Sequence, residues 1–157
     1  KTAMALLEGL DAMHVPMIKD WRLNPRHWGA MAGMTMKEAA EAFGKDTTRA
    51  VRKVKTLAPP EGEASVWDQR YLGLQPSEMP RCESLQQVSD RTMRVWEELV
   101  VPALHANLKI LVVAHGDTVR VLQAAMDGAN MSEPSLNVCD EEHVARMFTQ
   151  FANVYGS

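Results

Sequence analysis

The chain has 157 residues, 46% of them hydrophobic and 24% charged, with a formal net charge of −3. That length suits one domain, 1–157, with a real core; the balance is ordinary for a globular protein, and no basic field argues for nucleic acid. No apolar run nears the ~18 residues a membrane helix needs and no signal peptide is visible, so no membrane partner and an intracellular, cytoplasmic setting are expected.

The chain opens with Lys1 and runs straight into TAMALLEGLDAM, which reads as the interior of a longer protein. Met4, Leu7, Leu10 and Met13 fall on one stripe and predict a helix over 1–13. Met17, Trp21 and Leu23 share a parity, which predicts a short strand with Pro16 at its start. Residues 24–33 (NPRHWGAMAG) read as a loop. Thr35 and Glu38 have the spacing of a capping box. They open a helix through Phe43 that Gly44 stops, and Asp46 then caps a second helix from Thr47 to about Lys55.

Residues 56–82 form the longest irregular stretch, and loops of that length in compact domains are usually functional. Ser84 and Gln87 make another capping box, beginning a long helix to about Ala106. Val88, Val95, Leu99 and Ala103 are expected to face inward, and Pro102 to bend its last turn. Lys109–Ala114 (KILVVA) is a near-continuous β-branched run, the mark of a strand covered on both faces. A helix follows to about Met126, capped by Asp117 or Thr118. A short helix near 131–136, a strand near 143–149 and an extended end at Val154-Tyr155 complete an α/β pattern. The two cysteines, Cys82 and Cys139, are far apart and read as free thiols, one disulfide being the alternative. No metal-like His/Cys pair is present, so no metal site is expected.

The sharpest local pattern is VVAHGDTVR, 112–120. Where a covered strand hands over to a helix, free backbone N–H groups and the positive helix end make an anion site. Gly116 would let a phosphate approach the backbone, and His115 would donate to a phosphoryl oxygen. The plain alternative is a polar strand end followed by a turn. Arg26-His27-Trp28 on its loop could grip a carboxylate or phosphate, and Arg49, Arg52 and Lys53 share a helix face. For each, an ordinary solvated surface is the plainer reading.

Taken in order, four segments resemble the cofactor-dependent phosphoglycerate mutases of the histidine phosphatase superfamily. WRLNPRHWGAMAG (21–33) is similar to that family's W-K-L-N-E-R-H-Y-G-G-L-Q-G. Arg52-Lys53 ahead of Pro59-Pro60 matches its tandem arginines. PRCESL (80–85) matches P-x-x-E-S-L, and VAHGDTVR (113–120) matches A-A-H-G-N-S-L-R. The resemblance implies a three-layer αβα sandwich around a mainly parallel sheet, here missing its first strand and helix. It also implies interconversion of 3- and 2-phosphoglycerate in glycolysis through a phosphohistidine primed by 2,3-bisphosphoglycerate, with no metal.

By the same resemblance, His115 stabilises the transferring phosphoryl group and Gly116 and Asp117 contact phosphate. Arg26, His27 and Trp28 contact substrate, and Arg52 and Lys53 hold its carboxylate and phosphate. The partner is a small phosphorylated acid, and a homo-oligomer is left open. Five departures stand out. No Arg-His-Gly nucleophile motif occurs in the chain, and Pro25 stands where the family has its acid–base Glu. Met36 stands where it has a substrate-binding Lys, with Lys37 one position off. Asp117 replaces an Asn, and DEEHV (140–144) replaces a T-G-V-P turn. The alternatives are a degenerate paralogue that binds a phosphate ligand or regulates, and a phosphatase of the same superfamily whose acid would come from Glu63 or Asp68.

Overall fold

The computed structural model describes residues 1–62, 69–71 and 73–127. The chain divides into two compact units, Lys1–Lys19 with Ser135–Ser157, and Asp20–Pro134. Within the first, helix α1 spans Thr2–Gly9. It is shorter than the expected 1–13 because Asp11 turns into the left-handed region at φ 51°. The expected elements at 131–136, 143–149 and 154–155, and the 140–144 turn, lie outside the described residues.

The expected short strand within 14–23 does not form, and in the second unit its end is a 3-10 turn, Trp21–Leu23. The Asp20 carboxylate causes the change: it accepts the Arg22 backbone N–H at 2.8 Å and pairs with the Arg22 guanidinium at 2.8 Å. Those bonds hold the Asp20 carboxyl below the usual carboxylate range, and they favour a turn over an extended parity. Helix α2, Met36–Phe43, carries the full capping box, with the Thr35 side chain on the Glu38 N–H and Glu38 reaching back. Helix α3, Lys45–Lys53, starts two residues earlier than expected. Gly44, at φ 88°, is its cap, so Asp46 lies inside the first turn instead of capping it.

Helix α4, Leu85–Val95, opens on the Ser84–Gln87 capping box. A π-turn, Trp96–Val100, and helix α5, Val101–His105, continue it. The π-turn inserts one residue into the helical repeat ahead of Pro102, whose ring cannot fit an unbroken i→i−4 ladder. The inward stripe therefore shifts: Val88 and Val95 are buried as expected, but Val100 is buried at 8% exposure while Leu99 stands 37% exposed. Ala103 is half-buried.

Helix α6, Gly116–Asp127, packs on α4. Thr92, Val95, Val100, Val112 and Leu122 converge with Leu23 and Trp96 around one closed apolar gap, which marks the core of this unit. Residues 108–115 carry no regular structure on the way into α6, and no β-ladder forms among the described residues. The strand expected over 109–114 is thus not covered on both faces: Ile110, Leu111 and Val113 are 38–50% exposed. Among the described residues the backbone groups of Ile110–Ala114 make no hydrogen bond. A run of β-branched residues favours extension, but a strand also needs a neighbour to pair with. Hydrogen exchange should report this directly. The amides of 110–114 are expected to exchange far faster than those of α4, and equal protection would contradict the unpaired geometry.

Candidate functional site

The loop at 24–31 has little regular structure, yet it is among the most firmly held parts of the molecule. A buried ionic knot holds it. Glu83, 4% exposed, and Arg91, 8% exposed, pair through Arg91 Nε and Glu83 Oε1 at 2.6 Å. Arg91 also donates to the carbonyls of Arg22, Asn24 (2.8 Å) and Pro25 (3.4 Å). Glu83 Oε2 accepts the His27 N–H at 2.8 Å, and the Glu83 N–H donates to the His27 carbonyl at 2.9 Å.

Arg26 sits at the centre, 2% exposed. Its Nε donates to the Glu83 carbonyl at 2.6 Å, and its two terminal nitrogens donate to the carbonyls of Val51 at 3.2 Å and Leu57 at 3.0 Å. The guanidinium lies 4.6 Å from the centre of the Trp28 ring, a cation–π contact. Burial pushes the Arg26 pKa down, while the charges of Asp117, then Glu83, push it back up. The geometry thus makes Arg26 a brace tying loop 24–28 to α3 and to the start of α4. The His27 ring lies 6.1 Å from that of Tyr71, and its Nδ1 accepts the Gly29 N–H at 3.1 Å.

Gly29 seals the loop's other side. Its φ is +55°, and a Cβ there would lie 2.1 Å from the Pro60 carbonyl oxygen, the same oxygen that accepts the Ala30 N–H at 2.9 Å. Gly29→Ala is expected to cost well over ~1 kcal/mol, because both the positive φ and the contact oppose a side chain. Urea unfolding measures it, and an unchanged midpoint would refute the close approach.

Helix α6 meets this loop at one point: Thr118, fully buried, donates its Oγ1–H to the Asn24 carbonyl at 3.2 Å. The first helical bond of α6 runs from the Val119 N–H to the His115 carbonyl at 3.0 Å. His115 is therefore the cap, where Asp117 or Thr118 was expected. Its Nδ1 accepts the Asp117 N–H at 3.3 Å. Asp117 Oδ1 pairs with Arg120 at 3.2 Å, and Oδ2 stands 3.7 Å from His115 Nδ1. The imidazole is 55% exposed, and Gly116 is half-buried.

The sequence-predicted residues thus fall into two groups. Arg26, His27 and Trp28 share one loop, which Thr118 ties to the helix carrying His115, Gly116 and Asp117. Arg52 and Lys53 end α3 and are exposed; Arg52 contacts the Met36 sulfur at 2.8 Å. Lys37 points elsewhere, pairing at 4.0 Å with Glu41. Cys82 is a free thiol. Burial, then Glu61 and Glu83, push its pKa up, which disfavours the thiolate. Cys139, Glu63 and Asp68 lie outside the described residues. Sequence reasoning passed over Arg91 and read Glu83 only as part of a motif. A signal was available, since Arg91 falls on the buried stripe between Val88 and Val95, where a charge must be paired.

Among the described residues no helix is long and apolar enough to cross a membrane, and no His/Cys/Asp/Glu group could hold a metal ion. The chain belongs to the histidine phosphatase superfamily (branch 1), whose sequence profile matches residues 63–147, more than half of it. It is 36% identical over 133 residues to a 2,3-bisphosphoglycerate-dependent phosphoglycerate mutase of Actinobacillus succinogenes, covering 82% of this chain and 59% of that protein. It is 37% identical over 134 residues to a protein of the same description from Enterococcus faecalis, covering 82% and 58%. The chain thus spans about three-fifths of the length of the curated relatives it matches.

Proposed function

We propose that this site serves phosphoglycerate mutase-type phosphoryl transfer, interconverting 3-phosphoglycerate and 2-phosphoglycerate in the cytoplasm. One observation carries the reading. Relatives described as 2,3-bisphosphoglycerate-dependent mutases share 36–37% identity along 82% of the chain, and the matched loop and the matched helix start meet at the Asn24–Thr118 bond.

His115 holds the phosphoryl end. Its Nδ1 is occupied as an acceptor, which leaves Nε2–H as a donor. Arg52 and Lys53 supply exposed positive charge for the carboxylate and phosphate. Arg26 acts through the loop it braces. The same cations suit a primer as strongly anionic as 2,3-bisphosphoglycerate, which when bound would supply the phosphoryl group. A phosphohistidine requires a nucleophile outside residues 1–157, because no Arg-His-Gly motif lies within them.

A second reading, ligand binding without turnover, is favoured by Pro25. Its ring has no proton to exchange, and the nearby Glu83 is locked to Arg91. A coupled assay with 3-phosphoglycerate, with and without 2,3-bisphosphoglycerate, separates the two readings. Primer-dependent conversion supports the mutase, and calorimetric binding without conversion supports the binder. In either case His115→Ala or Arg52→Ala should weaken phosphoglycerate binding roughly 10- to 100-fold, the loss of one charge-assisted hydrogen bond. Absence of binding, or indifference to both substitutions, would sink the site.

A further inference from the structure

We infer that Asp117 makes this site selective for phosphate groups that still carry a P–OH proton, against fully ionised oxyanions such as sulfate. The inference rests on the proposed site and names a feature of its specificity.

Asp117 lies in the first turn of the twelve-residue helix α6, where amide dipoles favour an anion. Its own carboxylate already stands there. Oδ1 is taken by Arg120 at 3.2 Å. Oδ2 is 3.7 Å from His115 Nδ1, beyond hydrogen-bond reach, and accepts no donor among the described residues. The side chain is 30% exposed, so an arriving ligand can reach Oδ2. The charged groups around it are His115 and Arg120 on its own element and Arg26 from the facing loop, whose charge and that of Asp117 interact. Glu83 and Arg91, on the α4 side, are committed to each other.

An ionised carboxylate can only accept hydrogen bonds. Sulfate and the phosphate dianion are also acceptors only, so lone pairs meet lone pairs and like charges repel. At close range near a protein surface that repulsion weakens binding by about tenfold or more. A phosphate monoanion escapes it, because its P–OH can donate to Oδ2 in a short O–H···O⁻ bond. Phosphate monoesters lose that second proton near pH ~6, so both forms exist under ordinary conditions.

Calorimetry with inorganic phosphate and with sulfate, at about pH 6 and about pH 8, tests this on the 157-residue chain. At the lower pH the wild type should bind phosphate at least ~10-fold more tightly than sulfate, and Asp117→Asn should bring the two within ~3-fold. At the higher pH, Asp117→Asn should bind both anions at least ~10-fold more tightly than the wild type. The phosphate-to-sulfate ratio decides, not the pH slope alone. Arg120→Gln, which removes the cation on Oδ1, should widen the ratio, and it serves as a second variant if the first fails to fold. A ratio unchanged in Asp117→Asn, while His115→Ala weakens both anions, overturns the selectivity and leaves the site standing. No binding of either anion to any of these proteins overturns the site and the selectivity together.

Discussion

Glu83→Ala is expected to lower the stability of the protein by about 3–5 kcal/mol, the usual cost of stripping the partner from a buried charge. Glu83 is 4% exposed and Arg91 8%. Without the carboxylate, Arg91 would keep its cation in the interior with backbone carbonyls and the Trp21 ring for company, and the His27 N–H would lose its acceptor. Whole domains are stable by only about 5–15 kcal/mol, so a loss of this size can unfold the chain at ordinary temperature. Chemical denaturation measures it. A loss below ~1 kcal/mol would mean that the pair is solvated. The double variant Glu83→Gln/Arg91→Met should lose less than Glu83→Ala alone, because it removes the orphaned cation together with its partner.

Arg26→Met should cost at least ~2 kcal/mol, although it relieves the burial of a charge. Three carbonyls, those of Glu83, Val51 and Leu57, would lose their donor, at about 1–3 kcal/mol for each one left unsatisfied in the interior. Against this stands the desolvation that pushes the Arg26 pKa down. Three orphaned acceptors outweigh one relieved cation because the arginine's cost is already offset by its carbonyls and by Trp28. Arg26→Lys should rescue little, since a point charge cannot reproduce the three-way fork. Thermal unfolding and limited proteolysis within 24–33 should report both changes. If Arg26→Lys instead kept full stability and lost phosphoglycerate affinity, Arg26 would be a ligand-binding group and not a brace. The losses from Glu83→Ala and Arg26→Met should not add, because the two residues share the Glu83 main chain.

The knot also fixes a proline-bearing loop that has little regular structure of its own. Loops carry function when a rigid frame positions them. Here the frame is Arg26 within the loop together with Glu83 just ahead of α4 and Arg91 in its body.

What local chemistry dictates could be read from the residues alone. Both capping boxes, Thr35–Glu38 and Ser84–Gln87, form as their spacing predicts. Gly44 stops α2, and the four-segment resemblance points to the family that the profile match then shows. Each of these depends on side chains within a few positions of one another, or on a pattern long enough to be specific. Tertiary structure decided the rest. A strand needs a partner that periodicity cannot supply, so Trp21–Leu23 became a turn beside Asp20, and 109–114 carries no ladder among the described residues. The π-turn moved burial from Leu99 to Val100, because a one-residue shift of phase can be seen only after the helix is wound. The bracing bonds of Arg26 were out of the sequence's reach for the same reason. Its three acceptors lie 25 to 57 residues away, and only the folded chain brings such distant carbonyls to one guanidinium.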